Sequence, residues 1–148
     1  MWRGGFDPGL VAWIFNVVGL LFGAALGARA LVDPKWAARF VRLQPDEQGG
    51  GFAEFRATYG GVFLMLHLAA LVFSLKWLLG GEFIFGIYAA GAAAPVAAGW
   101  AGSSAGRALS MWRDGTRTQF NTASAGVEAV LAAAIASPWL LWNFSPPA

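Results

Sequence analysis

The sequence predicts an all-α integral membrane protein, a bundle of four transmembrane helices with a short amphipathic interfacial helix in its first loop. Three observations predict it. Leu10–Ala28, Tyr59–Leu75 and Phe83–Gly106 hold no Asp, Glu, Lys or Arg, and a fourth stretch, Val127–Phe144, holds only Glu128; crossing roughly 30 Å of hydrocarbon takes about 20 such residues in a helix. The chain is 57% apolar and 12% charged, where a soluble domain carries about 25% charged residues. Small residues recur every fourth position inside two of these stretches, the spacing that lets helix backbones approach closely in lipid.

The 148 residues make a single membrane domain, 1–148, with spans at about 9–31, 57–79, 83–110 and 123–143. Arg3 ahead of the first span and Ala28-Arg29-Ala30 behind it give it a superficial likeness to a signal peptide. Its apolar run exceeds the roughly 7–15 residues of a signal core, so it is read as a retained span. Between the spans lie an outer tail at 1–8, a long first loop near 32–53, a tight turn at Lys76–Glu82 and a third loop near 111–122, where Arg113-Asp114-Gly115 signals a turn.

Four spans place loops one and three on one side and both termini with loop two on the other. Arg29, Lys35, Arg39, Arg42, Arg56, Arg107, Arg113 and Arg117 then share the first side, against Arg3 and Lys76 on the second. By the positive-inside rule this predicts a bacterial inner membrane protein with loops one and three cytoplasmic and both termini periplasmic. Indoles favour the headgroup levels, and Trp13, Trp77, Trp139 and Trp142 fall at the outer edge while Trp36 and Trp112 fall at the inner one; Trp100 alone lies within a span. The basic balance, +2, is thus a topology signal and not a nucleic-acid patch.

Gly19, Gly23 and Gly27 line one face of the first span, and Ala90, Ala94, Ala98, Gly102 and Gly106 line one of the third. Both stripes are expected to pack against neighbouring helices, in this chain or in a partner subunit. Pro95, with Gly91 and Gly99 a turn to either side, is expected to bend the third span. In the first loop Asp33-Pro34 reads as an N-cap with Pro at the first helical position. It opens a segment through Leu43 that sets Trp36, Phe40 and Leu43 on one face and Arg39 and Arg42 elsewhere, suited to anionic headgroups. Gln48–Gly51 reads as a flexible hinge.

Charge near the hydrocarbon is costly, so such residues are paired or functional. Glu54 and Arg56 open the second span, Arg107 nears the end of the third and Glu128 lies a turn into the fourth, all at similar depth. They are expected to form one electrostatic cluster with Tyr59 and Ser110 at hand, either clamping the helices or holding an anionic ligand, since Arg recognises carboxylate and phosphate alike. The partner of Glu128, Arg107 or Arg56, stays open. His67, near the midplane, is either a hydrogen-bonded core histidine or a relay or axial ligand, and Asn16 calls for an interhelical partner. No metal site is expected, and Cys is absent. Nor is there an acidic metal motif, a GxSxG elbow or a phosphate-cradling loop, so no catalytic residue is assigned.

Glu54-Phe-Arg-Ala-Thr-Tyr-Gly-Gly61, with Gly106-Arg107-Ala108-Leu109-Ser110, Asp114-Gly115 and Glu128 further on, resembles a bacterial family of small four-span membrane proteins catalogued as a domain of unknown function. The resemblance implies a four-helix architecture but no established activity, so nothing catalytic is carried over, and it matches Glu54, Arg56, Tyr59, Gly60, Gly61, Arg107 and Glu128. Because the small loops leave no soluble domain to do chemistry, and the small-residue stripes with abundant Phe and Trp suit helix and lipid contacts, the expected function is non-enzymatic: an accessory or structural subunit of a larger membrane complex, respiratory or photosynthetic for example. The alternative is a carrier of a lipid, quinone or small anionic amphiphile on the Arg/Glu cluster. No cofactor is predicted, though a bound lipid, quinone or pigment would suit the setting. The expected partners are membrane lipids and other membrane subunits, with no nucleic acid.

Overall fold

The computed structural model describes residues 7–144, with side chains through Trp142; Arg3 and most of the outer tail lie outside the described residues. Four long helices, α1 (Pro8–Val32), α3 (Gly51–Leu78), α4 (Phe83–Arg113) and α5 (Gln119–Phe144), are long and apolar enough to cross a membrane. A short helix, α2 (Pro34–Val41), sits in the first loop.

Each helix starts and stops for a local reason. Asp7 caps α1 by accepting from the Gly9 N–H, ahead of Pro8 at the first helical position. Asp33 caps α2 in the same way, through the Trp36 N–H at 2.9 Å. At its end Arg42 adopts the left-handed conformation, φ 59°, and the Leu43 N–H returns to the Ala38 carbonyl, the pattern that closes a helix C-terminus. The segment expected to be a hinge is tied down instead: the Asp46 carboxylate accepts from Gly50 and Gly51, both at 3.0 Å. This caps α3 six residues before the expected start at 57. Gly115, at φ 65°, makes the turn between α4 and α5, and Thr118 caps α5 through the Asn121 N–H.

The long helices form a closed antiparallel ring in which α1 meets α3, α3 meets α4, α4 meets α5 and α5 returns to α1. The core between them joins Leu20 of α1, Ala70 and Leu71 of α3, Ala93, Val96 and Ala97 of α4, and Ile135 of α5. A second cluster packs Ala37 and Ala38 of α2 against Ala30 and Phe55. Of the expected apolar face, Phe40 of α2 and Leu43 just past its end are exposed, whereas Trp36 packs against this second cluster.

The expected Gly19-Gly23-Gly27 stripe is buried and sets the spacing of α1 from its neighbours. A Cβ on Gly19 would stand 2.8 Å from Ile135, and one on Gly27 would stand 2.7 Å from the Leu64 backbone. Gly60 of α3 reciprocates: a Cβ there would stand 2.7 Å from the backbone of Leu31. Gly60 belongs to a stretch of wide π-helical turns, Phe55–Val62, unannounced in the sequence. Because π turns bond i to i+5, Phe55 and Gly60, five apart, are both buried. α4 runs through Pro95 as one helix.

Candidate functional site

The expected four-residue electrostatic cluster divides in two. Arg107 of α4 pairs with Glu128 of α5 through a fork, Nη2 to Oε1 at 2.7 Å and Nε to Oε2 at 3.1 Å. The Arg107 side chain is 31% exposed and that of Glu128 is 9% exposed, so the carboxylate is the group that depends on the pair. The remaining guanidinium edge reaches Asn121 Oδ1 at 3.5 Å. Asn121 in turn donates to the Thr116 carbonyl at 2.7 Å, and Thr116 meets Ser110 at 3.0 Å. One turn deeper Ser104 donates to the Ala125 carbonyl. These bonds lace the α4–α5 hairpin at its loop end.

Arg56 stands apart and answers the open pairing: it does not meet Glu128. Its Nη1 donates to the carbonyls of Leu31 and Val32, which lie in the last turn of α1 and lack intrahelical donors. Glu54 and Tyr59 are exposed, with the Tyr59 ring 5.5 Å from that of Phe55. The motif at 54–61 is thus the junction where α3 meets the end of α1, with Arg56 capping and Gly60 allowing the close approach.

His67 is buried with both ring nitrogens engaged. Trp100 Nε1 donates to Nε2 at 3.0 Å, and Nδ1 lies 2.7 Å from the Phe63 carbonyl. An indole N–H only donates and a carbonyl only accepts, so the ring is neutral with its proton on Nδ1. Phe63 and Trp100 flank it, and Gly23 forms the opposite wall. Trp100, unexplained in the sequence, is there to hold His67. Neither nitrogen has a lone pair left to ligate an axial group.

Of the α4 stripe only its first residue, Ala90, is buried among the described residues; the rest does not take the intrachain alternative. Ala94, Ala98, Gly102 and Gly106 are exposed. Among the described residues, no atom comes within 4 Å of where a Cβ would stand on Gly91, Gly99, Gly102 or Gly106. The helices that meet α4 use Ala89, Ala93 and Ala97, one helical step around from the stripe, together with Ala90 at its outer end. Both faces of α4 are small, so spacing alone did not choose between them.

Asn16 found its interhelical partner at the outer end of the core, where Nδ2 donates to the Ile135 carbonyl at 2.6 Å. Its neighbours there are two residues the sequence reading passed over, Ser137 and Pro138. Pro138 has no N–H to offer the Ala134 carbonyl, and Ser137 Oγ lies 2.7 Å from that carbonyl and 2.7 Å from that of Ala12. A hydroxyl next to a proline in a span is the signal that would have found them. Two buried polar atoms have no hydrogen-bond partner among the described residues, Asn16 Oδ1 and Ser74 Oγ.

At the two ends of the ring, aromatic and cationic groups meet. Trp13 and Trp77 lie 6.2 Å apart and Phe83 and Trp142 lie 5.7 Å apart at one end. At the other, Arg42 lies 3.9 Å over Phe120, joining loop one to the first turn of α5. In the comparisons with known proteins, no family model, no curated protein and no solved structure matches this chain.

Proposed function

We propose that the protein is a non-enzymatic inner-membrane protein that serves as an accessory subunit of a larger membrane assembly, docking a transmembrane helix of its partner on the outward face of α4. One observation carries this reading. From Gly91 to Gly106 every exposed residue of α4 is Gly, Ala, Ser or Pro, whereas the exposed face of α1 carries Ile14, Phe15, Val18, Leu21 and Phe22. A lipid-facing surface has no reason to be stripped of large side chains for four turns. A helix packed against it does, because affinity in lipid comes from backbone approach and van der Waals contact.

The charge distribution supports cytoplasmic loops one and three and periplasmic termini. The carrier reading on the Arg/Glu cluster has less support, since the Arg107 charge is met by Glu128 and Arg56 is spent on helix carbonyls. Native mass spectrometry of the protein extracted from its own membrane in mild detergent tests the proposal. A stoichiometric complex is expected, and Gly102→Leu with Gly106→Leu should dissolve it while leaving the fold intact, because no atom of the described residues lies within 4 Å of a Cβ at either position. A lone chain from native membranes, or a complex indifferent to both substitutions, overturns it.

A further inference from the structure

We infer that the basic pocket between α2 and the start of α3 holds the phosphate of an anionic phospholipid. Lys35, Ala38 and Arg39 share one face of α2, and Arg42 follows at the left-handed residue that ends the helix. All four line a concavity of about 500 Å³ whose opposite wall includes Leu43 and Phe52. Ala38, buried and small, keeps the floor low between the three cations. The walls are held in place from both sides: Asp33 caps the start of α2, the Leu43 N–H closes its end, and the Asp46 carboxylate ties down Gly50 and Gly51.

The charges there have no counterion in the chain. Like charges three and four residues apart on a helix repel, and no acidic residue lines the pocket. Among the described residues, none of the three cations has an ion pair or a side-chain hydrogen bond. The neighbouring carboxylates are engaged elsewhere, Asp33 on the Trp36 N–H and Asp46 on Gly50 and Gly51. Arg42 is held 3.9 Å over the Phe120 ring, a contact that fixes it without neutralising it. Three positive charges on a preformed concavity call for an anion, and two of them are guanidinium forks that match the oxygens of a phosphate.

The position of the pocket makes that anion a lipid. The first span runs to Val32 and α2 begins at Pro34, so the cations stand within a few residues of the end of a membrane helix, at the level of the headgroups. Leu43, on the pocket wall, and Phe40 beside it are both exposed. A soluble phosphate has no use for such side chains, whereas the glycerol and first methylenes of a phospholipid cover them. Basic clusters immediately beyond a span attract anionic headgroups in this way.

Native mass spectrometry of the full chain in detergent, supplied with equimolar phosphatidylglycerol and phosphatidylcholine of the same acyl chains, tests the site. Phosphatidylglycerol adducts are expected to dominate. Each cation near the surface is worth about fivefold toward an anionic headgroup, so Lys35→Gln with Arg39→Gln should lower phosphatidylglycerol retention about 25-fold. Both side chains are exposed, so the variant keeps the fold. Arg113→Gln with Arg117→Gln removes the same charge at the same end of the bundle but outside the pocket, and should leave retention unchanged. Equal retention of the two lipids, or equal losses from the two variants, overturns the inference. Glycerol 3-phosphate in excess should not displace the lipid; displacement would make the occupant a soluble phosphate and overturn the assignment as well. The pocket is built from residues 35–52, with no contribution from α4, so this outcome is independent of whether α4 docks a partner.

Discussion

Alanine at Gly23 and alanine at Gly102 are the same chemical change on two glycine-bearing helices, and the structure predicts opposite results. A Cβ on Gly23 would stand 2.8 Å from His67 Cε1 and closer still to Cδ2 and Nε2, whereas ordinary contact begins near 3.4 Å. Cε1 alone would have to retreat by about 0.6 Å, the difference of those two distances, and the nearer Cδ2 and Nε2 require the ring to move farther still. It is not free to do so, because it is held between the Phe63 carbonyl and the Trp100 N–H. Overpacking of this kind costs about 1–3 kcal/mol, and losing the Trp100 bond adds about 1 kcal/mol. Alanine returns about 1 kcal/mol of helix propensity. The net expectation is destabilisation by about 2 kcal/mol for Gly23→Ala, against a gain of up to about 1 kcal/mol for Gly102→Ala, where nothing lies within 4 Å. Reversible unfolding in mixed detergent, followed by tryptophan emission, measures both. Adding His67→Ala to Gly23→Ala should recover part of the loss, a coupling of about 0.5–3 kcal/mol. Equal stability of the two single variants would refute the reasoning.

Further outcomes are expected at the loop end. Arg107→Ala leaves Glu128, 9% exposed, without its cation and should destabilise by about 2 kcal/mol, with the Arg107→Ala/Glu128→Ala pair less harmful than the sum of the singles; additive losses in a double-mutant cycle would mean the fork contributes nothing. Asp46→Ala removes the cap on Gly50 and Gly51 and should cost about 1 kcal/mol, seen as faster amide exchange confined to the first turn of α3. The chain has no Cys, so Gln44→Cys and Glu82→Cys give clean topology reporters: an impermeant maleimide added to intact spheroplasts should label position 82 and spare position 44, and the reverse pattern would invert the proposed orientation.

The legible part of the site was the part governed by the cost of polarity in lipid. That cost singled out Arg107, Glu128, His67 and Asn16, and each proves to be hydrogen-bonded between helices. It did not say who pairs with whom. Arg56 and Arg107 lie at similar depth in the chain's layout, and only the ring order of helices, which sets α4 beside α5 and α3 beside α1, gives Glu128 to one and the α1 carbonyls to the other. The wide turns at Phe55–Val62 escaped notice because they depend on how Gly60 meets Leu31, a contact 29 positions away.

By itself the sequence determined the class of the molecule: four apolar helices and the short capped helix between the first two, because burial in hydrocarbon and the capping of orphan backbone groups are decided by residues near one another. Tertiary structure decided which small-residue stripe is core and which is surface. Gly19, Gly23 and Gly27 meet Ile135, His67 and Leu64, while a Cβ on Gly102 or Gly106 would meet nothing within 4 Å among the described residues. Spacing creates a face on which a backbone can come close; only the arrangement of the other three helices determines whether one does.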